Sequence, residues 1–286
     1  MVYPFALPTT SHLSFQTFLS SSTHPSLPQS ASTARHALRL ALKAHKRLPR
    51  PQQDAHLSTL LTSVNDYLPY LTTISHGLSG KPLELSAGSS EEVEIVLRSE
   101  LETEWRPTLS SSSPLRTRQA SSRIRGRGID YELAFVLSIL GYVLSRLARS
   151  SAAHTFYAQS TPTPDQRTAA ALSACKYLLQ ASAVHSLLAS SVMFADVSRS
   201  PGSGVTVPDL DPATQAALSS LALAEATLLA VWKDDAHIAA CIQARNPNDR
   251  EWMVRAPEIP KVRALLFARL CVRAAEYAEQ AASGLG

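Results

Sequence analysis

The chain has 286 residues, enough for one large domain or two small ones with a sizeable core. Apolar residues make up 45% and the net charge is only +4, which excludes a chain disordered throughout and argues against a membrane protein. Ala, Leu and Ser dominate while Gly numbers only 10, so helices are favoured over an all-β build and a glycine-rich phosphate cradle is not expected.

The chain opens with Ser, Thr and Pro and has no acidic residue before Asp54. The alternation Leu13-Ser-Phe15-Gln-Thr-Phe18 predicts an edge strand. A helix is expected from Ser30 or Ser32, either of which can cap it. Ala34, Ala37, Leu38, Ala41, Leu42 and Leu48 line one of its faces, and Arg35, Arg39, Lys43, Lys46 and Arg47 line the opposite one. Pro49 and Pro51 end it. A second helical stretch runs from Gln52 to about Leu78 with a kink expected at Pro69. In 93–105, Val93, Ile95, Leu97, Leu101 and Trp105 alternate with charged residues, which predicts a small β element, although a helix face also fits. The carboxylates of Glu91, Glu92, Glu94, Glu100, Glu102 and Glu104 then share a solvated face rather than forming a catalytic pair. Residues 107–128 read as a mobile Ser/Arg loop in which Arg116, Arg118, Arg123, Arg125 and Arg127 crowd together.

From Gly128 onward the pattern is helical. Ile129–Arg149 is one segment, and Pro164–Ala195 is a second, opened by Thr163-Pro164. Asp211-Pro212 opens a third that runs to about Arg245, and a fourth spans about Pro260 to Ala282. The longest apolar stretch that admits Ser and Gly, Leu133 to Leu144, is shorter than the about 20 residues a spanning helix needs. The fold class expected is all-α: an array of long antiparallel helices with one small β element, in a single domain over residues 1–286.

Three local patterns carry a family resemblance. Tyr131-Glu132-Leu-Ala-Phe-Val136-Leu137 continuing to Ser145-Arg-Leu147-Ala148, Leu101-Glu-Thr-Glu-Trp105-Arg106 upstream, and the runs Lys176 to Ala183 and Leu223-Ala-Glu-Ala226 to Lys233 downstream follow the order and spacing of the BRO-one domain family, the boomerang-shaped helical domains of the ALIX type. The opening Tyr3-Pro4-Phe5, Leu7-Pro8-Thr9-Thr10, His24-Pro25-Ser26-Leu27-Pro28 and Glu104-Trp105-Arg106-Pro107-Thr108-Leu109-Ser110 resemble the fungal ambient-pH-response members of that family. The family's Phe-Asn after Val-Leu is replaced by Ser138-Ile139, so a polar contact there is expected to be lost. The chain also stops short of a whole domain of this family, so an incomplete one is expected.

The resemblance implies a non-enzymatic scaffold in alkaline-pH signalling. It would bind the C-terminal amphipathic helix of an ESCRT-III filament subunit through an exposed hydrophobic patch, link it to a pH-signalling complex at the plasma membrane, and act in the cytoplasm at plasma-membrane or endosomal sites. By the same resemblance, Leu266 and Leu270 match two aliphatic positions of the partner patch, and Val231, Trp232 and Lys233 lie near it. The helix at 261–282 shows two apolar stripes. Leu265, Ala268, Cys271, Val272 and Ala275 are expected to face the core; Leu266, Leu270 and Tyr277, flanked by Arg263 and Arg273, are expected to face the partner.

Catalysis finds little support. The nine histidines are scattered without an HExxH pattern, and Cys175, Cys241 and Cys271 are widely spaced. Asp234, Asp235 and His237 form no more than a solvated trio. Neither metal nor cofactor is expected, and nucleic acid is not expected either, because the arginines lack interleaved aromatics. Two other readings remain open. One is a peripheral membrane module contacting anionic lipid through the basic helix 34–48 and the arginines at 116–127, with Arg35, Arg39, Lys43, Arg123, Arg125 and Arg127 as the contacts. The other is a mitochondrial helical protein with a cleaved leader.

Overall fold

The computed structural model describes residues 6–84, 90–109, 123–156, 163–198, 207–234 and 259–285. Seven helices carry the described residues: α1 (Leu27–Arg47), α2 (Arg50–Gln53), α3 (Leu57–Ser79), α4 (Ile129–Phe156), α5 (Pro164–Ser190), α6 (Pro212–Trp232) and α7 (Lys261–Leu285). Seven short strands accompany them: β1 (Thr9–Thr10), β2 (Leu19–Ser21), β3 (Leu83–Glu84), β4 (Ser90–Glu91), β5 (Ile95–Leu97), β6 (Glu102–Arg106) and β7 (Ile124–Arg127). The helical class and the β element at 93–105 are as expected. By its contacts the chain divides into two compact units.

One unit comprises Phe5–Val143 and Val184–Gln215. Here α1 packs on α3. Helix α1 begins at Leu27, earlier than expected, because Pro28 at its first turn supplies a preset φ where no backbone donor is needed. His45, Lys46 and Arg47 close it where the carbonyl ends of the helix favour positive charge. Helix α3 buries Leu57, Leu60, Val64, Tyr67, Leu71 and Ile74 along one stripe and ends at Gly80, whose φ of 64° is the left-handed conformation that suits glycine. It continues through Pro69, which sits on its exposed side.

The stretch read as an edge strand at 13–18 instead holds a turn of 3-10 helix at Phe15–Thr17, with Phe15 fully buried, and the strand β2 follows it. β2 pairs antiparallel with β5, Ser20 opposite Val96. A second sheet runs β1-β6-β7, with Thr10 opposite Trp105 and Trp105 opposite Ile124. Strand β7 lies in what read as the end of a loop. Gly126 lets it pass against the ring of Tyr131, where a Cβ would overlap the ring. Residues 110–122, including Arg116 and Arg118, lie outside the described residues, as do Asp235, His237 and Cys241.

The other unit comprises Leu144–Ala183 and Ala216–Gly286 together with the first four residues. Its helices approach through small side chains: Ala171, Ala174, Ala181, Ala217, Ala222 and Ala224 are buried, and the Ser182 and Ser219 hydroxyls meet at 2.8 Å between α5 and α6. Helices α4 and α6 are long and apolar enough to cross a membrane by length and composition alone, but α4 is mostly buried within the protein, as a core helix is.

Candidate partner-binding site

The residues that carried the family resemblance converge first on a structural hub. Glu132, fully buried at the start of α4, accepts hydrogen bonds from Arg35 Nε (2.8 Å) and the Tyr67 hydroxyl (3.1 Å) on one oxygen. Its other oxygen accepts from Trp105 Nε1 (2.8 Å) and Arg35 Nη2 (3.3 Å). The guanidinium also donates to Thr10 Oγ1 (2.6 Å) and the Ser11 carbonyl (2.8 Å). Each carboxylate oxygen thereby accepts two hydrogen bonds, which is the condition for a tolerable buried ion pair. Burial opposes the charge on Arg35, but Glu132 and then Tyr67 raise its pKa above the ordinary value. Trp105 stacks on Phe135 with centroids 5.1 Å apart. Arg35 is therefore no surface contact for anions: it is 1% exposed and belongs to this hub.

A second buried network lies in the same unit. The Asp209 carboxylate accepts from the Tyr142 hydroxyl (3.0 Å), from Leu109 N (3.1 Å) and from Thr108 N. Gln215 Nε2 donates to the Asp209 carbonyl and, at 3.4 Å, to Ser138 Oγ, while Ile139 beside it is fully buried and offers no polar group. With that amide orientation, His185 Nδ1 donates to Gln215 Oε1 at 2.7 Å. Burial lowers the His185 pKa to about 4, against the Gln215 hydrogen bond, and raises that of Asp209 to about 6 despite its donors. Both networks are anchors inside the fold.

The site residues expected on α6 and α7 fall in the other unit, and the structure sorts them. Arg263 Nη2 pairs with Asp234 at 3.3 Å, which joins the first turn of α7 to the residues just past α6. The α6–α7 corner is the junction this ion pair makes, with Val231–Lys233 just before it at the end of α6 and Leu266 one turn after it on α7. Val231 is 1% exposed and is a core residue, since the helix turns it inward while Trp232 on the next position faces out. Trp232 is 49% exposed and meets Phe156 edge-on at 6.3 Å. Lys233 is exposed.

On α7 the expected faces are corrected. Its packed stripe is Phe267, Ala274 and Ala281, with Leu270 and Tyr277 half-buried between them. That three-four spacing is a helix-packing seam built on Phe267. The stripe expected in the core is instead exposed, Leu265 at 53% and Val272 at 60%. Of the three residues expected to face a partner, only Leu266 is exposed, at 52%. Arg273 is engaged on its own helix, bonding Glu276 at 2.6 Å and lying over the Tyr277 ring at 4.3 Å.

What the sequence reading missed is the extent of exposed apolar surface at this corner. Leu228 stands one turn before Trp232 on α6, and Val262 and Leu265 accompany Leu266 on α7; all are exposed. The sequence carried no clear signal of it, because α6 is apolar around its whole circumference, a pattern that by itself predicts a buried helix. Among the described residues no group of three His, Cys, Asp or Glu gathers as a metal site would require.

Two solved structures are similar at 17% identity: ALIX in complex with a SIVmac239 late-domain peptide, TM-score 0.48, covering all of this chain and 37% of the other, and an ALIX BRO1 CHMP4C complex, TM-score 0.47, covering 98% and 71%. At that distance they assign no residue a role. No family model matches the chain. The pH-response resemblance is borne out more directly: the chain is 65% identical to the pH-response regulator protein palC of Emericella nidulans over 291 residues, all of this chain. It spans 56% of that relative's length.

Proposed function

We propose that the chain acts as a non-enzymatic adaptor in an ambient-pH response and binds an amphipathic helix of an ESCRT-III subunit at the α6–α7 corner. The relative is named a pH-response regulator, which supports the signalling role and a scaffold rather than a catalyst. The observation that carries the binding role is the corner itself: Leu228 and Trp232 on one helix and Leu265 and Leu266 on the next are all at least two-fifths exposed. An amphipathic helix laid there would bury leucine-type anchors on its apolar face, while the exposed Lys233 attracts acidic residues on its flank. Each anchor contributes about 1.5–3 kcal/mol when fully buried, so losing two of them removes a large share of the about 8 kcal/mol that a micromolar complex represents. Recruitment to plasma-membrane or endosomal sites would follow from where the filament subunit assembles.

The test is titration of the purified chain with the C-terminal helical peptides of ESCRT-III subunits, read by Trp232 fluorescence and by calorimetry. Saturable binding that is lost in Leu266→Asp with Trp232→Ala, both folded, supports the site. Unchanged affinity in that variant removes it.

A further inference from the structure

Six basic side chains were candidates for an anionic surface, and their surroundings separate them. Arg35 belongs to the Glu132 hub. Arg125 bonds Glu104 at 2.8 Å, and Arg127 contacts Glu102 and Glu100 at 3.2 and 3.3 Å. Arg39 and Lys43 remain, one turn apart on α1, with Arg47 a further turn on along the same face. Arg123, at the entry to β7, joins them. The Lys43 ammonium is held below its ordinary pKa first by Arg39, then by burial, then by Arg123 and Arg47, so every charge that bears on it is a cation. Arg123 stands 3.7 Å from Glu104, a carboxylate that Arg125 holds more closely. The Nε of Arg39 is buried and has no hydrogen-bond partner.

Like charges a turn apart repel, and elsewhere in this unit the arginines of β7 and the hub are matched by carboxylates. Among the described residues, Arg39, Lys43 and Arg47 meet no carboxylate, and Arg123 shares Glu104 with Arg125. The geometry of the row also limits what can match it. The apolar face of α1, with Ala31, Leu38 and Leu42, is already in the core, so the helix cannot embed in a bilayer as an interfacial amphipathic helix does. What it offers outward is a line of cations with one half-exposed leucine, Leu40, beside Lys43. That pattern suits many anionic head groups in a plane, each contributing weakly.

We propose that Arg39, Lys43, Arg47 and Arg123 form an electrostatic docking site for an anionic membrane surface, whose lipid phosphates and carboxylates supply the missing counter-charge. The site lies in the unit that does not contain the α6–α7 corner and stands independently of helix binding there.

The test is co-sedimentation of the full chain with phosphatidylcholine vesicles that contain or lack phosphatidylserine. Binding is expected only to the serine-lipid vesicles, and it is expected to vanish as salt rises from about 0.1 M to about 1 M, where the Debye length falls from about 10 Å to about 3 Å. Lys43→Glu with Arg47→Glu should bring binding to background. Lys43→Gln with Arg47→Gln, which keeps both stems, should lower the partition coefficient at least about tenfold, with circular dichroism confirming the helix. Lys261→Glu with Arg269→Glu makes the same change of net charge on exposed positions of α7 and should bind as wild type. The proposal is overturned if neither vesicle is bound, or if the α7 variant loses as much as the α1 variant. It is also overturned if soluble inositol hexakisphosphate or duplex DNA is bound while vesicles are not.

Discussion

Around Glu132 the protein buries an ion pair, a phenol hydroxyl and an indole N–H together, whereas around Trp232 it leaves large apolar side chains of two helices in water. Polar groups inside and apolar groups outside are both departures from the ordinary partition of side chains. The first departure is fully matched within the chain, since each donor meets the carboxylate. The second is not matched by its immediate neighbours. A feature that its own surroundings satisfy is part of how the chain folds; a feature they leave unsatisfied points to something brought from outside. The two should therefore respond to substitution in opposite ways.

The largest effect is expected at the hub. Glu132→Ala leaves Arg35 charged and buried and strips acceptors from Tyr67 and Trp105, so stability should fall by about 3–5 kcal/mol in urea unfolding. Adding Arg35→Met should recover part of that loss, because the stranded charge is gone. A single variant within about 1 kcal/mol of wild type would break the comparison, since the hub would then not be organising the unit.

The Asp209 network should appear in the pH dependence. The Asp209 pKa is raised from 3.8 to about 6 in the folded chain, so the folded state holds the extra proton between those values. Stability linked to it is gained as pH falls through about 6 and is full below about 4. His185 has the opposite sign: its pKa is lowered from 6.5 to about 4, so the unfolded state takes the proton first and stability is lost as pH falls through that window. Each is worth about 3 kcal/mol at full extent. Across pH 4 to 6 the two nearly cancel, and single variants should expose them. Asp209→Asn should lose stability on acidification relative to wild type, and His185→Gln should gain it. Denaturant midpoints at several pH values measure both. Parallel profiles for wild type and variants would show that neither group titrates across folding.

How far these regions were legible in the sequence follows from the same contrast. Helix existence was readable because α3 and α4 carry long apolar periods, and the motifs at Trp105 and Tyr131-Glu132 marked where the hub lies. Arg35 was misread because periodicity places a charge on a face but says nothing of a carboxylate 97 positions away that draws it inward. Strand β7 was misread because Ile124–Arg127 has neither length nor alternation; its place is set by pairing with β6 and by Gly126 beside Tyr131. On α7, two apolar stripes compete in the sequence, and the choice is made by Phe267, whose bulk takes the packed side and leaves Leu265 and Val272 in water. A seven-residue spacing through Phe267, Ala274 and Ala281 was present to be read, but small alanines carry little weight against leucines in a periodicity count.

A smaller effect tests whether the hub's edges matter as its centre does. Tyr67→Phe removes one of four donors and leaves Glu132 with Arg35 and Trp105, so a loss of about 1–1.5 kcal/mol is expected. A loss as large as that of Glu132→Ala would place the organising role on the phenol rather than on the ion pair.

The smallest expected effect on folding is at the corner, and it sharpens the contrast most. Leu266 is 52% exposed and has no polar atoms to satisfy, so Leu266→Asp exchanges a wet methyl cluster for a wet carboxylate. Its cost to the helix is the modest propensity difference between the two residues, within about 0.5 kcal/mol. Trp232→Ala loses an edge-on contact with Phe156 and half of an indole's burial, about 2–3 kcal/mol. Leu270→Asp is different, because Leu270 sits half-buried in the Phe267 seam and a carboxylate there would be partly desolvated. Thermal melts should therefore rank the three as Leu266→Asp near wild type, Trp232→Ala lower and Leu270→Asp lowest. The partner-peptide affinities should not follow that ranking: Leu266→Asp should lose as much binding as Leu270→Asp despite its intact fold. If binding simply tracked stability across the three, the corner would be fold surface, and the difference between a satisfied and an unsatisfied region would carry no functional meaning here.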